Sequence, residues 1–396
     1  MPKNGSLPAD LIAATLCRLP AKSLLRFRCL SKSWCSEIDS PAFAQLHLRH
    51  SVKTPSNLSL ILRDGSLRSL DFQSLDGLVK LNHPLDTPFF GTEILGCCNG
   101  LLALYNSEEE IVIWNPITRE HRRLPETELE YPPENMFFDF IVYGFGYDSV
   151  HDDYKLVRLV QFPGFRNRPC FSVAKVYSLR ENSWRRIRDF PYEIVFKRCH
   201  GVHVNNALHW VVYRSGGSEG EKSIVALDLC SEECRVIEQP NYGGRKFHLN
   251  VGELGGCLAV TANYYLKRVD VWVMKEYGVK ESWGKLLTVR QQVKRPTFEF
   301  VLPVAYVGNG SMVLLVQDSN KFVCYDLISK KVDEVGVSGL SDYFEVVVLA
   351  GSLVKLNNGN EAASNEANLV ANAVNLVDIG GDEVDWVDFG DDEILL

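Results

Sequence analysis

The side chains able to make or break bonds in this 396-residue sequence are scattered rather than clustered. His200-x-x-His203 precedes a hairpin turn and has no carboxylate or cysteine group beside it. Cys230-x-x-x-Cys234 lacks a second pair at zinc-binding spacing, and a structural zinc site needs four ligands. Cys97-Cys98 lies in an apolar strand. Gly243-Gly244 with Arg245 and Lys246 is a loop with no helix after it, so it is no phosphate cradle. No Gly-x-Ser-x-Gly, Walker or dinucleotide fingerprint occurs. The expectation is no catalytic residue, no metal and no cofactor. The chemistry to look for is recognition. Two sets of residues are suited to it: leucines and prolines near the N-terminus, and aromatic and arginine side chains in loops of the body.

The elements that carry these sets differ in kind. Composition is that of a folded protein, with 46% hydrophobic and 23% charged residues. No run approaches a membrane span, and the N-terminus has no basic-then-apolar signal peptide. The expected location is therefore cytoplasmic and nuclear, where eleven irregularly spaced cysteines stay reduced. The net charge of −8 is unevenly placed. Residues 1–56 hold eight bases against three acids, and residues 357–396 hold ten acids and no base. A basic head suits an acidic partner.

Residues 1–56 read as a small helical domain. Pro8 fits a first helical turn. Leu11, Ile12, Thr15, Leu16 and Leu19 follow at helical spacing. Pro20 stops that helix and a second starts near Ala21. Ser31 and Ser33 are N-cap candidates for a third, and Pro41 opens a fourth. So few short helices cannot enclose Leu7, Pro8, Leu11, Leu16, Leu19, Pro20 and Leu24 as well as their own core, which predicts an apolar docking surface.

Residues 57–356 repeat with a period near 50. Each unit is marked by a strand ending in a polar turn: Leu70-Asp71-Phe72, Trp114-Asn115-Pro116, Tyr177-Ser178-Leu179, Leu227-Asp228-Leu229, Trp272-Val273-Met274 and Tyr325-Asp326-Leu327. Hairpin chemistry at Asn99-Gly100, Asn205-Asn206, Gly255-Gly256 and Asn309-Gly310 precedes it. The units are four-stranded. The first lacks its opening strand, and Phe344–Leu349 is a spare strand at the end. Pairing the two predicts a six-bladed β-propeller closed by a 1+3 clasp, with seven blades the alternative. The tryptophans at 114, 184, 210, 272 and 283 then belong between blades.

These residues carry a resemblance. Leu7-Pro8-x-Asp10-Leu11-Ile12 and Leu19-Pro20-Ala21-Lys22-Ser23-Leu24-Leu25-Arg26-Phe27-Arg28-Cys29-Leu30-Ser31-Lys32-Ser33-Trp34 resemble the plant form of the F-box. Cys98-Asn99-Gly100-Leu101-Leu102, Trp114-Asn115-Pro116, Gly144-Phe145-Gly146-Tyr147-Asp148 and Val271-Trp272-Val273-Met274 resemble the F-box-associated, kelch-like domain of plant F-box proteins. The resemblance implies docking on a Skp1-type adaptor through Leu7, Pro8, Leu11, Ile12, Leu16, Leu19, Pro20 and Leu24, and through that adaptor on a cullin and RING subunit. It implies a non-catalytic receptor whose propeller holds a target for ubiquitination. The subgroup it looks most like restrains immune signalling by targeting intracellular immune receptors. Other members recognise unrelated proteins, pollen-recognition ribonucleases among them.

In a propeller the D–A and B–C loops share one face. The irregular insertions of this chain fall there, with Tyr131, Phe137, Phe138, Phe162, Phe165, Arg166, Arg168, Tyr242, Arg245, Tyr264 and Tyr265. Aromatic residues and arginine are the usual binding hot spots, so this set is the expected target-binding face. Basic residues are too few over the body for a nucleic-acid footprint. Residues 357–396 read as an acidic, solvated tail.

Overall fold

The computed structural model describes residues 9–86, 91–128, 140–162, 170–196, 200–213, 221–243, 247–265, 267–291 and 298–356. Four helices come first: α1 (Ala9–Leu16), α2 (Ala21–Phe27), α3 (Lys32–Ile38) and α4 (Pro41–Ser51). Pro20 occupies the N-cap of α2 and separates it from α1. The Ser31 hydroxyl accepts from the Trp34 N–H to cap α3, and Ser40 accepts from Phe43 N–H to cap α4, with Pro41 in its first turn.

Six four-stranded antiparallel sheets follow. Naming strands A to D outward from the centre, blade 2 is Glu93–Cys98, Leu101–Tyr105, Ile111–Trp114 and His121–Arg123. Blade 3 is Phe140–Asp148, Asp153–Phe162, Phe171–Ser178 and Ser183–Arg186. Blade 4 is Val202–Val204, Ala207–Tyr213, Lys222–Asp228 and Cys234–Ile237. Blade 5 is His248–Leu254, Cys257–Tyr264, Arg268–Met274 and Trp283–Arg290, and blade 6 is Val301–Val307, Met312–Gln317, Lys321–Asp326 and Val332–Val335. Blade 1 takes strands B to D from Leu58–Arg63, Leu67–Asp71 and Val79–Lys80, and its A strand from Glu345–Ala350. The clasp pairs Leu58 with Ala350 and Arg63 with Glu345. Each A strand touches the next around the ring, so the propeller closes with six blades rather than seven.

The repeat has a local cause. In blades 1, 2, 4 and 6 the residue at or just after the end of strand C is Asp71, Asn115, Asp228 or Asp326. Its side chain accepts the N–H groups two and three residues on. Four residues on, Leu75, Arg119, Glu232 and Lys330 adopt positive φ and donate their N–H back to that residue's carbonyl. Ser178 and Asn182 serve the same turn in blade 3. An Asx turn built this way needs one short polar acceptor and tolerates varied neighbours, which is why it repeats without sequence identity. Among the A–B turns, Asn99-Gly100, Asn205-Asn206 and Gly255-Gly256 all have positive φ at both central residues, the geometry that matches strand twist.

Blade contacts form the core. Trp114, Trp210 and Trp283 are buried between blades, with Trp184 and Trp272 half-buried beside them. Gly146 explains one motif residue: a Cβ there would overlap the His203 ring of blade 4. Close approach of the two inner strands requires its absence.

Candidate docking faces

The helical head builds a core of its own. Leu16, Cys17, Ala21, Leu24, Ile38, Phe43 and Ala44 are buried together, and Leu353 from beyond the clasp strand joins them. This corrects two expectations. Leu16 and Leu24 are internal packing, because α1 and α2 turn these residues toward α4 and Leu353 rather than outward. Burying each contributes about 1.5–3 kcal/mol. His47 is buried beneath them, and its Nε2 donates to the Leu19 carbonyl at 3.0 Å. Burial holds its pKa below the usual value.

What remains outside is narrower than the sequence pattern predicts. Leu11 is 56% exposed, Ile12 and Leu19 are half-buried, and Pro20 is exposed. Arg18, Lys22 and Arg26, near them in sequence, are exposed. Leu7 and Pro8 lie outside the described residues. Leu30, 66% exposed, is an apolar residue that helical spacing alone did not single out; it follows α2 where the chain leaves the helix.

The head is fixed to the propeller by residues 351–356. The Ser51 hydroxyl donates to the Gly351 carbonyl at 2.6 Å, and the Gly351 N–H donates to the Asn57 carbonyl at 2.7 Å. Asn115 Nδ2 donates to the carbonyls of Ser352 and Val354. Lys355 reaches Asp39 at 3.6 Å, and Leu356 N–H donates to Glu120. Ile117, in the C–D turn of blade 2, packs on the head core. The head thus sits against the face formed by A–B and C–D turns, at blades 1 and 2. The D–A and B–C loops open on the opposite face.

On that far face, only part of the expected set is available. Phe162 is fully buried at the end of its strand, against Val160, Val173 and Ile141. Tyr264 is 8% exposed; its ring lies 5.3 Å from Phe247 and its hydroxyl donates to the Tyr242 carbonyl. Both are packing, because their strands run further into the blade than the loop pattern implies. Tyr242 is half-buried between Phe247 and Trp272 and donates to Gln239 at 3.0 Å. Tyr265 is 60% exposed beside them. Arg268 stacks on the Tyr264 ring at 4.2 Å, and Tyr343 stands open at the entry to the clasp strand. Sequence reasoning passed over both. Position at the end of a B–C connection, for Arg268, and within a D–A connection, for Tyr343, is the signal that finds them. Tyr131, Phe137, Phe138, Phe165, Arg166, Arg168 and Arg245 lie outside the described residues.

The F-box domain family matches residues 5–46, and the F-box associated beta propeller domain family matches residues 66–359. The chain belongs to the F-box proteins that carry an F-box-associated β-propeller. It is 36% identical over 370 residues to F-box protein CPR1 of Arabidopsis thaliana, covering 88% of this chain and 89% of that one. It is 34% identical to F-box protein At4g22390 of the same plant, over 88% of this chain and 90% of that one. F-box/kelch-repeat protein At3g23880, also from Arabidopsis thaliana, is 31% identical, over 78% and 85%.

In this F-box protein His200, His203 and Asp148 are engaged in structural contacts. His203 places Nε2 at 3.2–3.3 Å from the Tyr147 backbone and Nδ1 at 3.5 Å from Cys98 Sγ, joining blades 2, 3 and 4. His200 accepts the Tyr143 N–H at 3.4 Å. The two histidines therefore serve separate backbone contacts. Burial pushes the Cys97 thiol up to about 12, which keeps it protonated and unreactive. Asp148, His151 and Cys230 bring possible metal donors together. Lys155 Nζ, however, lies 2.8 Å from Asp148 Oδ2, and His151 Nδ1 lies 2.7 Å from the same atom. Burial of Asp148 opposes its charge, but these donors hold the carboxyl down to about 2. A lysine already neutralises the site. Among the described residues no helix is long and apolar enough to cross a membrane.

Proposed function

We propose that this F-box protein is the substrate-recognition subunit of a Skp1–cullin–F-box ubiquitin ligase. The head docks on the Skp1-type adaptor, and the propeller holds a target protein for ubiquitination by an enzyme recruited through the cullin and RING subunit. The observation that carries the reading is the pairing of exposed Leu11, with Ile12, Leu19 and Pro20 around it, and a head locked to the propeller through residues 351–356. A receptor of this kind works by raising the effective concentration of its target near the conjugating enzyme. It needs no nucleophile of its own, and the chain acts as a non-catalytic adaptor in the cytoplasm and nucleus. Target contact falls to the face opposite the head, where Tyr265, Tyr343 and Arg268 stand with the half-buried Tyr242. The resemblance makes intracellular immune receptors of plant defence the first target class to test.

Affinity purification of the tagged full-length chain from plant cells tests this. Adaptor, cullin and RING subunit should co-purify with the wild type, and all three should be lost together from Leu11→Asp. Recovery of the adaptor without cullin would instead make the protein a scaffold outside the ligase.

A further inference from the structure

The outer strands of the six blades are unequal. Five of them are two to four residues long, as in Val79–Lys80, Ser183–Arg186 and Val332–Val335. The outer strand of blade 5, Trp283–Arg290, has eight. It has one neighbour in its sheet, so among the described residues its other edge is unpaired. A long free edge is a template for strand addition, and proteins that do not use one keep it short or cover it.

This edge lines a cleft of about 960 Å³ whose opposite wall is the C–D turn and outer strand of blade 6. Leu286 and Val332 are half-buried in its walls, and buried Leu287 and Tyr325 lie behind them. The rim is cationic. Arg290, Lys330 and Lys331 are exposed, and Arg290 and Lys330 form no ion pair among the described residues. Lys331 acts on Asp326. Lys285 lies 3.0 Å from Asp270 and 4.9 Å from the Trp272 ring centre. Asp333 is the acid in the lining.

We propose that this cleft receives an extended acidic segment of a partner protein, which adds a fifth strand to blade 5. The ladder between strands C and D is broken at Leu286, where Val271 pairs with Leu287 and Trp272 with Lys285. Above this bulge the strand is regular, so Leu287–Arg290 is the stretch that pairs with the incoming backbone. A bound strand alternates its side chains. Apolar ones face Leu286 and Val332, and acidic ones face Arg290, Lys330 and Lys331. Nucleic acid is disfavoured because the aromatic ring in the lining, Tyr325, is buried and offers no stacking face. The inference is independent of adaptor docking, which uses the head alone.

The test is fluorescence anisotropy of the full-length protein with a fluorescein-labelled peptide of alternating valine and aspartate. Binding should weaken at least about tenfold in R290E/K330E/K331E and fall with added salt. It should be lost when alternate peptide amides are N-methylated, an arm that uses only wild-type protein. Absence of binding to the wild type overturns the proposal. So does equal binding by the triple variant, by the N-methylated peptide, by a valine–lysine peptide or by oligouridine of the same length. Adaptor binding by the same triple variant should be unchanged, which separates failure of this groove from failure of the receptor reading.

Discussion

Acidification from pH 7 to pH 5 should cost the propeller a large part of its stability, and three buried histidines contribute strongly to the effect. His209 is fully buried. Its Nδ1 donates to the Val202 carbonyl at 3.0 Å, which leaves Nε2 to accept from the Tyr277 hydroxyl at 2.7 Å. The neutral ring is satisfied on both sides, and a second ring proton would face the Tyr277 O–H. Burial pushes His209 down to about 4, and pushes His200 and His203 down to about 4 as well. The unfolded chain takes up these protons near pH 6.5, whereas the folded chain resists until about pH 4. Stability is therefore lost as pH falls through that window and levels off below it. Each histidine favours unfolding by about 2 kcal/mol at pH 5 and by about 0.2 kcal/mol at pH 7. Summed without their mutual repulsion, the three groups give a loss of about 5 kcal/mol, against a total of about 5–15 kcal/mol for an ordinary domain. Asp148, held at about 2, stays charged across this range and does not contribute. Urea unfolding followed by tryptophan fluorescence at pH 7, 6 and 5 measures the loss. His209→Gln should remove about 2 kcal/mol of the difference between pH 7 and pH 5, whatever it does to stability at pH 7. An identical difference in variant and wild type, or a protein as stable at pH 5 as at pH 7, would refute the reasoning.

Gly100→Ala should lower stability by about 2–4 kcal/mol in thermal unfolding, because Gly100 has φ +79° and a Cβ would overlap Ser352 and the Ala350 carbonyl. Gly256→Ala, at φ +81° but with open space around it, should cost only about 1 kcal/mol. Leu24→Ala should destabilise the head by about 2–5 kcal/mol, whereas Leu11→Ala should leave the melting temperature nearly unchanged. Truncation after Ser341 removes the A strand of blade 1 and should make the propeller sensitive to limited proteolysis, with the first cuts in blade 1.

The blades were legible because their determinants are local. An Asp, Asn or Ser at the end of strand C and a positive-φ pair between A and B recur in chain order, and each acts within five residues. The clasp followed from counting strands. The joint of head and propeller was hidden, because Gly351–Leu356 has no periodicity and its partners Ser51, Asn57 and Asn115 are remote in sequence. That joint absorbs leucines that the head pattern leaves over: Leu16 and Leu24 pack with Leu353 instead of facing a partner. The target face was misread where strands outrun the loop pattern. Strand B of blade 3 is buried on both faces from Asp153 to Phe162, with Lys155 and Arg158 inside it. Charges in a buried strand look like loop residues until their partners are seen, here Asp148 and the Leu229 carbonyl for Lys155.

The central claim is that an exposed leucine surface on a propeller-anchored head binds the Skp1-type adaptor. Calorimetric titration of the full-length protein with purified adaptor measures it directly. Saturable one-to-one binding is expected, and Leu11→Asp should weaken it by at least about a hundredfold, a loss of about 2.7 kcal/mol, with the melting temperature of the variant unchanged. Undiminished binding by Leu11→Asp, or no binding by the wild type, would contradict it.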